Sequence, residues 1–198
     1  MDYVTSISQY KELLTDIIET RPTTSLGNQA DEQFLEATSG TPLRIHMIWI
    51  MMSLRINLMG KSRFYENSSL RCLFIMNNVN CIIKTVKGSA ELSEIIGKEY
   101  LSKLNKEVLQ AAQDYFSSVW HRVLYCLRDD GLNYKFPLYN GISKKSLKDR
   151  FKTFNSTFEE VCQSQSTRIV LDIHLRDELQ RLILIDGGIP ANILFQNQ

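Results

Sequence analysis

The chain's three histidines, His46, His121 and His174, stand far apart in sequence, and each reads as a packed or surface imidazole. The four cysteines, Cys72, Cys81, Cys126 and Cys162, form no CxxC pair and no Cys/His ligand spacing, so they read as small buried thiols rather than as disulfides or metal ligands. The adjacent carboxylates Glu159-Glu160 and Asp129-Asp130 would point about 100° apart on a helix, too far round to share one substrate. They read as a solvated helix face and a helix-ending turn. No glycine-rich phosphate loop, GxSxG elbow or HExxH pair occurs. The expectation is a protein with no enzymatic activity, no catalytic residue, no metal and no cofactor.

One charged cluster stands out. In KKSLKDRFK, Lys144, Lys148 and Lys152 recur every fourth residue and share a helix face, with Lys145 and Arg150 close by. Clustered cations attract phosphates and anionic lipid headgroups, which makes Lys144, Lys145, Lys148 and Lys152 the candidate membrane-binding residues. The plainer reading is a solvated face partly neutralised by Asp149. Over the whole chain 23 basic residues meet 22 acidic ones, so no global field favours nucleic acid.

The elements that must position these residues are helical. With 198 residues, 43% of them hydrophobic and 23% charged, the chain can build a sizeable core in one domain or part of a larger one. The start, MDYVTSISQYKELL, is amphipathic and unlike a secretory signal. The most apolar run, IHMIWIMMSL, lies between Arg44 and Arg55 and falls short of the ~20 residues a bilayer span requires. A cytosolic chain is expected.

Val4, Ile7, Leu14, Ile17 and Ile18 mark a first helix, and residues 22–40 read as a long connection with a short helical turn at Asp31 to Ala37. Thr41-Pro42 predicts a capped helix start, followed by a helix apolar nearly all round and buried against several neighbours. Asn67, Ser68 or Ser69 caps the next helix, which Gly88 should end in the left-handed conformation. ELSEII forms a helical turn ending at Gly97. The longest helix then runs from about Lys98 to Arg128, ~45 Å at ~1.5 Å per residue. Residues 129–143 read as an exposed loop, and Leu147, Phe151, Phe154, Phe158 and Val161 as the stripe of another helix. A last helix starts near Asp172, and a tail over 186–198 breaks the pattern. No run shows period-two alternation, so the fold class is all-α.

The stretch FIMNNVNCII places three asparagines in an apolar segment. With about 100° per residue from Phe74, Ile75, Ile82, Val86, Val79, Cys72, Ile83 and Met76 fill an arc from about 80° to 200°, and Phe74, Cys81 and Leu70 fill a second from about 320° to 0°. Two apolar faces imply packing partners on both sides, as in stacked helical hairpins. Asn78 lies at the seam. Its amide is expected to bond to an adjoining helix or loop, and Asn78→Leu to disturb packing.

These stretches carry a resemblance. PLRIHMIWIMMSLRINLMGKSRFYENSSLRCLFIMNNVNCIIKTVKGSAEL and SLKDRFKTFNSTFEEVCQSQS, followed by LDIHLRDEL, resemble plant members of the Exo-seventy family, a subunit of the exocyst vesicle-tethering complex. The marks are Met76 to Asn78, Lys61-Ser62 and Phe154-Asn155, in the family's order and spacing. The resemblance implies stacked antiparallel helical bundles forming part of a rod, with residues 1–198 a partial C-terminal helical domain cut short at both ends. It implies a non-enzymatic role in tethering secretory vesicles to the plasma membrane, with other exocyst subunits and phosphoinositide-containing membrane as partners. Small GTPases and pathogen effectors are further implied partners, and the implied location is the cytoplasm and the periphery of the plasma membrane or secretory vesicles.

Three departures accompany the resemblance. The N-terminal bundles are missing. Ile189-Pro190-Ala191 matches the family's Ile-Pro-Ala-Tyr except that Asn192 stands in place of the tyrosine, and the final bundle with its principal lipid-binding residues is largely absent. Arg168 stands where the family often has an aromatic residue. Helices that lose neighbours should expose apolar surface. The alternative function is therefore a diverged, truncated relative serving as a protein-interaction module, an effector target or decoy in immunity.

Overall fold

The computed structural model describes residues 4–6, 14, 29–128, 133–136, 139–142 and 144–187. Six helices dominate: α1 (Gln29–Ala37), α2 (Pro42–Ser62), α3 (Ser68–Gly88), α4 (Ala90–Tyr125), α5 (Lys144–Gln165) and α6 (Ile173–Gly187). The all-α class holds, with one local exception. Within the stretch expected to be a loop, β1 (Asn133–Phe136) and β2 (Tyr139–Ile142) pair antiparallel, Asn133 opposite Ile142 and Phe136 opposite Tyr139. Four-residue strands are too short to display a period, although Tyr and Phe favour extended backbone. Residues 4–6 and 14 of the expected first helix are helical and Val4 is buried, while the rest of that helix lies outside the described residues.

The chain forms two compact units, within Met1–Ala111 and within Ala112–Gln198. The core of the first comes from α2, α3 and the first part of α4. On α2, Leu43, Ile45, Met47, Ile48, Met51 and Met52 are buried over an arc of about 200°. That width is what a helix apolar nearly all round was expected to need. Leu73, Ile75, Met76, Val79, Ile82, Ile83 and Val86 of α3 complete the layer, with Leu92, Ile96, Tyr100, Leu104 and Val108 of α4.

The caps follow the sequence. The Thr41 hydroxyl accepts from the Arg44 N–H at 3.3 Å, with Pro42 at the first helical position. The Asn67 carboxamide accepts from the Ser69 and Leu70 N–H groups at 2.9 and 3.4 Å. Asp172 Oδ1 accepts from the Leu175 N–H at 2.8 Å. Each supplies an acceptor for N–H groups that the first turn leaves unpaired.

Gly88 corrects the expectation. Among the described residues only Gly40 and Gly97 have positive φ, and α3 instead ends on Ser89, whose backbone is extended. The N–H of Ser89 donates to the Val86 carbonyl, and its hydroxyl accepts from the Leu92 N–H at 3.2 Å. Ser89 thus closes one helix and opens the next. Gly97 breaks α4 as expected, with φ 78° and ψ 165° between the helical stretches 90–96 and 98–125.

The second unit packs Ala112, Tyr115, Val119, Trp120 and Val123 of α4 with Val161 of α5 and Val170, Leu175 and Leu179. Trp120 and Phe158 rings lie 6.2 Å apart, Phe158 and Phe154 stack at 5.7 Å, and the buried Tyr115 hydroxyl donates to Gln165 Oε1. A shared apolar face is not a fully covered one, and the stripe of α5 is only partly buried. Val161 is covered, Leu147, Phe154 and Phe158 are half-buried, and Phe151 is 57% exposed. Between α5 and α6 an extended segment alternates, with Ile169, Leu171 and Ile173 exposed and Val170 and Asp172 buried. Arg168 is half-buried there, and its Nε has no hydrogen-bond partner, which an aromatic ring at that position would not require.

The wheel of α3 needs the same revision. Its broad arc is the core face, but Phe74 and Leu70 of the second arc are half-buried and Cys81 is exposed.

Candidate interaction surfaces and the buried charge cluster

Residues singled out for chemistry are scattered. His46 is half-buried with Nδ1 3.1 Å from the Pro42 carbonyl, whereas His121 and His174 are exposed. Cys81 is exposed and Cys72, Cys126 and Cys162 are half-buried, with burial pushing the Cys162 thiol up. Glu160 pairs with Arg122 at 2.9 Å on the surface, and Asp129-Asp130 lies outside the described residues. Among the described residues no three His, Cys, Asp or Glu side chains stand close enough to hold a metal.

Asn78 is half-buried, and its amide donates at 2.8 Å to the Phe74 carbonyl one turn back, not to another element. The carbonyl is already the regular α-helical acceptor for the Asn78 backbone N–H, so losing the side chain leaves no orphan. Asn78→Leu is accordingly expected to change unfolding free energy by less than about 0.5 kcal/mol. Thermal melting of the variant measures this.

The lysine cluster lies on the first turns of α5. Lys144, Lys145, Lys148 and Lys152 are all exposed, with Lys144 and Lys148 following the same side of the helix one turn apart. Going round α5 from Arg150, the order is Phe154, Leu147, Phe151, Lys144 and Lys148, spread over about 160°. Apolar side chains therefore separate two edges of positive charge. Leu147, Arg150, Phe151 and Phe154 line a groove with Cys126, Leu127 and Arg128 from the end of α4. The sequence signal for it was the stripe itself, which shows a shared face but not how much of that face is covered.

Sequence reasoning also missed a buried charge cluster in the first unit. Asp31 is 1% exposed although it belongs to the stretch read as a connection, within the helical turn expected there, which is part of helix α1. One of its oxygens accepts from Arg55 Nη2, and the other from Lys103 Nζ at 2.7 Å. Arg55, itself buried, also donates through Nη1 to Glu107 at 3.2 Å. Three helices meet through these four side chains. Lys103 stands 4.6 Å from the centre of the Phe34 ring, and the Phe34 ring lies 5.9 Å from that of Tyr100. Burial pushes the Tyr100 phenol well above its ordinary range, and the nearby Arg55 guanidinium opposes that shift only in part. The cluster joins α1, α2 and α4.

Arg44 forms a second joint. Its guanidinium pairs with Glu99 at 3.3 Å. A Cβ added at Gly40 would stand 2.7 Å from Arg44 Cδ, and one at Gly97 2.9 Å from Nη2. Both positions have positive φ, so glycine is required twice over.

No helix among the described residues is long and apolar enough to cross a membrane. Shared caps, buried joints and exposed cationic and apolar surfaces define a helical-bundle protein. Residues 1–184 match the family formed by the C-terminal part of the Exo70 exocyst complex subunit, and the chain belongs to that family. It is 35% identical to exocyst complex component EXO70C1 of Arabidopsis thaliana, covering 96% of this chain and 30% of the relative. For exocyst complex component EXO70C2 of Arabidopsis thaliana the identity is 32%, over 96% of this chain and 26% of the relative. Human exocyst complex component 7 is 24% identical, over 90% of this chain and 24% of its own length. The chain thus spans under a third of these relatives.

Proposed function

We propose that this chain acts as a non-enzymatic subunit or subunit segment of an exocyst complex, helping to tether secretory vesicles to the plasma membrane. Membership in the Exo70 family over residues 1–184 carries the reading. The relatives of plants and of human are both named as exocyst components, which supports other exocyst subunits as partners. Its place of work is then the cytoplasmic side of the plasma membrane or of secretory vesicles. Affinity capture with the tagged chain tests this. Recovery of other exocyst subunits supports it, and their absence from a capture of folded chain overturns it.

The membrane contact proposed within this role is the exposed lysine face of α5. Three cations along one helix side each gain about 1 kcal/mol near an anionic bilayer. Changing Lys144, Lys148 and Lys152 together to Glu is expected to abolish co-sedimentation with phosphoinositide-containing vesicles. Raising salt should weaken the unaltered chain in the same assay.

A further inference from the structure

We propose that the groove between the end of α4 and the start of α5 is a docking site for an acidic peptide that inserts one bulky apolar side chain. The groove lies wholly within the second unit and has a cavity of about 160 Å³ lined by Cys126, Leu127, Arg128, Leu147, Arg150, Phe151 and Phe154. An apolar cavity of ~150 Å³ is large enough to take a benzene molecule, so one aromatic or leucine side chain fills a space of this size.

The walls decide what else the occupant must carry. Leu127 is 51% exposed and Phe151 57%, a cost in water that a covering apolar group removes. Arg128 and Arg150 stand in the lining itself, and Lys144 and Lys148 follow the other edge of Phe151 along α5. Residues 144–152 contain five cations and a single carboxylate, Asp149. Asp149 lies about 140–160° round the helix from Leu147, Phe151 and Phe154, facing away from the groove. Asp129 and Asp130, next along the chain, lie outside the described residues. Arg150 is fixed in place, because its Nη1 donates to the Arg128 carbonyl and ties the two groove walls together.

An apolar slot between cationic edges complements a segment whose Asp or Glu residues flank a Leu, Phe or Trp anchor. Concavity favours a peptide over a lipid surface. A bilayer is flat on this scale and reaches the lysine face, whereas only a protruding side chain reaches the floor between Leu147 and Phe154. The groove is therefore a second surface, which shares Lys144 and Lys148 with the lipid contact proposed above and differs from it in its apolar floor.

The test selects a displayed random peptide library on the full chain, with counter-selection on Phe151→Ser. Because Phe151 is exposed, that variant should keep the parent melting curve, and Leu127→Ser serves as an independent variant at the same floor. The expected winners carry acidic residues around a bulky apolar residue. One of them, synthesised with a fluorophore, should bind the unaltered chain saturably and lose about tenfold in affinity with Phe151→Ser, Leu127→Ser or Arg128→Glu. Failure to enrich any such peptide, enrichment of basic ones, or binding indifferent to all three changes overturns the proposal. If Phe151→Ser instead lowers sedimentation with anionic vesicles and leaves peptide binding intact, the groove belongs to the membrane contact and the peptide site is refuted.

Discussion

Replacing Arg55 with methionine should lower the unfolding free energy by about 3–5 kcal/mol, the usual penalty for removing one member of a buried ion pair. Asp31 is 1% exposed and would be left with Lys103 as its remaining cationic partner among the described residues. Glu107 would lose the guanidinium it now shares, and three helices would lose a common fastening. Urea unfolding of the full chain measures the loss. The double change Asp31→Leu with Arg55→Met should recover much of it, because apolar replacements remove both desolvation penalties together. A double variant as weak as the single one would show that the helices are held here by geometry specific to the charges.

Gly97→Ala is expected to cost about 1–3 kcal/mol from backbone conformation alone, since φ 78° with ψ 165° is a region that essentially only glycine occupies. The added methyl would also press on the Arg44 guanidinium, 2.9 Å from Nη2. Measured in an Arg44→Ala background, the steric part should disappear and the backbone part remain. Equal losses in the two backgrounds would mean that Arg44 yields without resistance. The two changes together separate strain in the chain from crowding across it.

Most of the helical fold was legible in the sequence because its signals are local. Thr41-Pro42, Asn67 and Asp172 announce helix starts through their own side chains, and Gly97 announces a break through its lack of one. What failed was anything set by distant partners. The helical turn from Asp31 to Ala37 was legible, but the burial of Asp31 was not, because it depends on Arg55 and Lys103 far along the chain. Arg55 looked like the end of an apolar run for the same reason.

The candidate surfaces were half legible. Spacing places Lys144, Lys148 and Lys152 on one side of a helix, and the structure finds all three exposed. The groove was hidden in the stripe of Leu147, Phe151 and Phe154, read only as one helix face. Periodicity reports which residues share a face, but not how much of that face a neighbour covers. Gly88 failed more simply, because Ser89 terminates α3 with an extended backbone and makes a left-handed glycine unnecessary.

Ser89 also bears on how this chain can change length over evolutionary time. One residue terminates α3 and caps α4, so the two helices have no linker in which an inserted or deleted codon could be absorbed. An extra residue there separates two duties that a single hydroxyl and amide now perform together. An inserted or deleted residue at the α3–α4 corner is therefore expected to be costly.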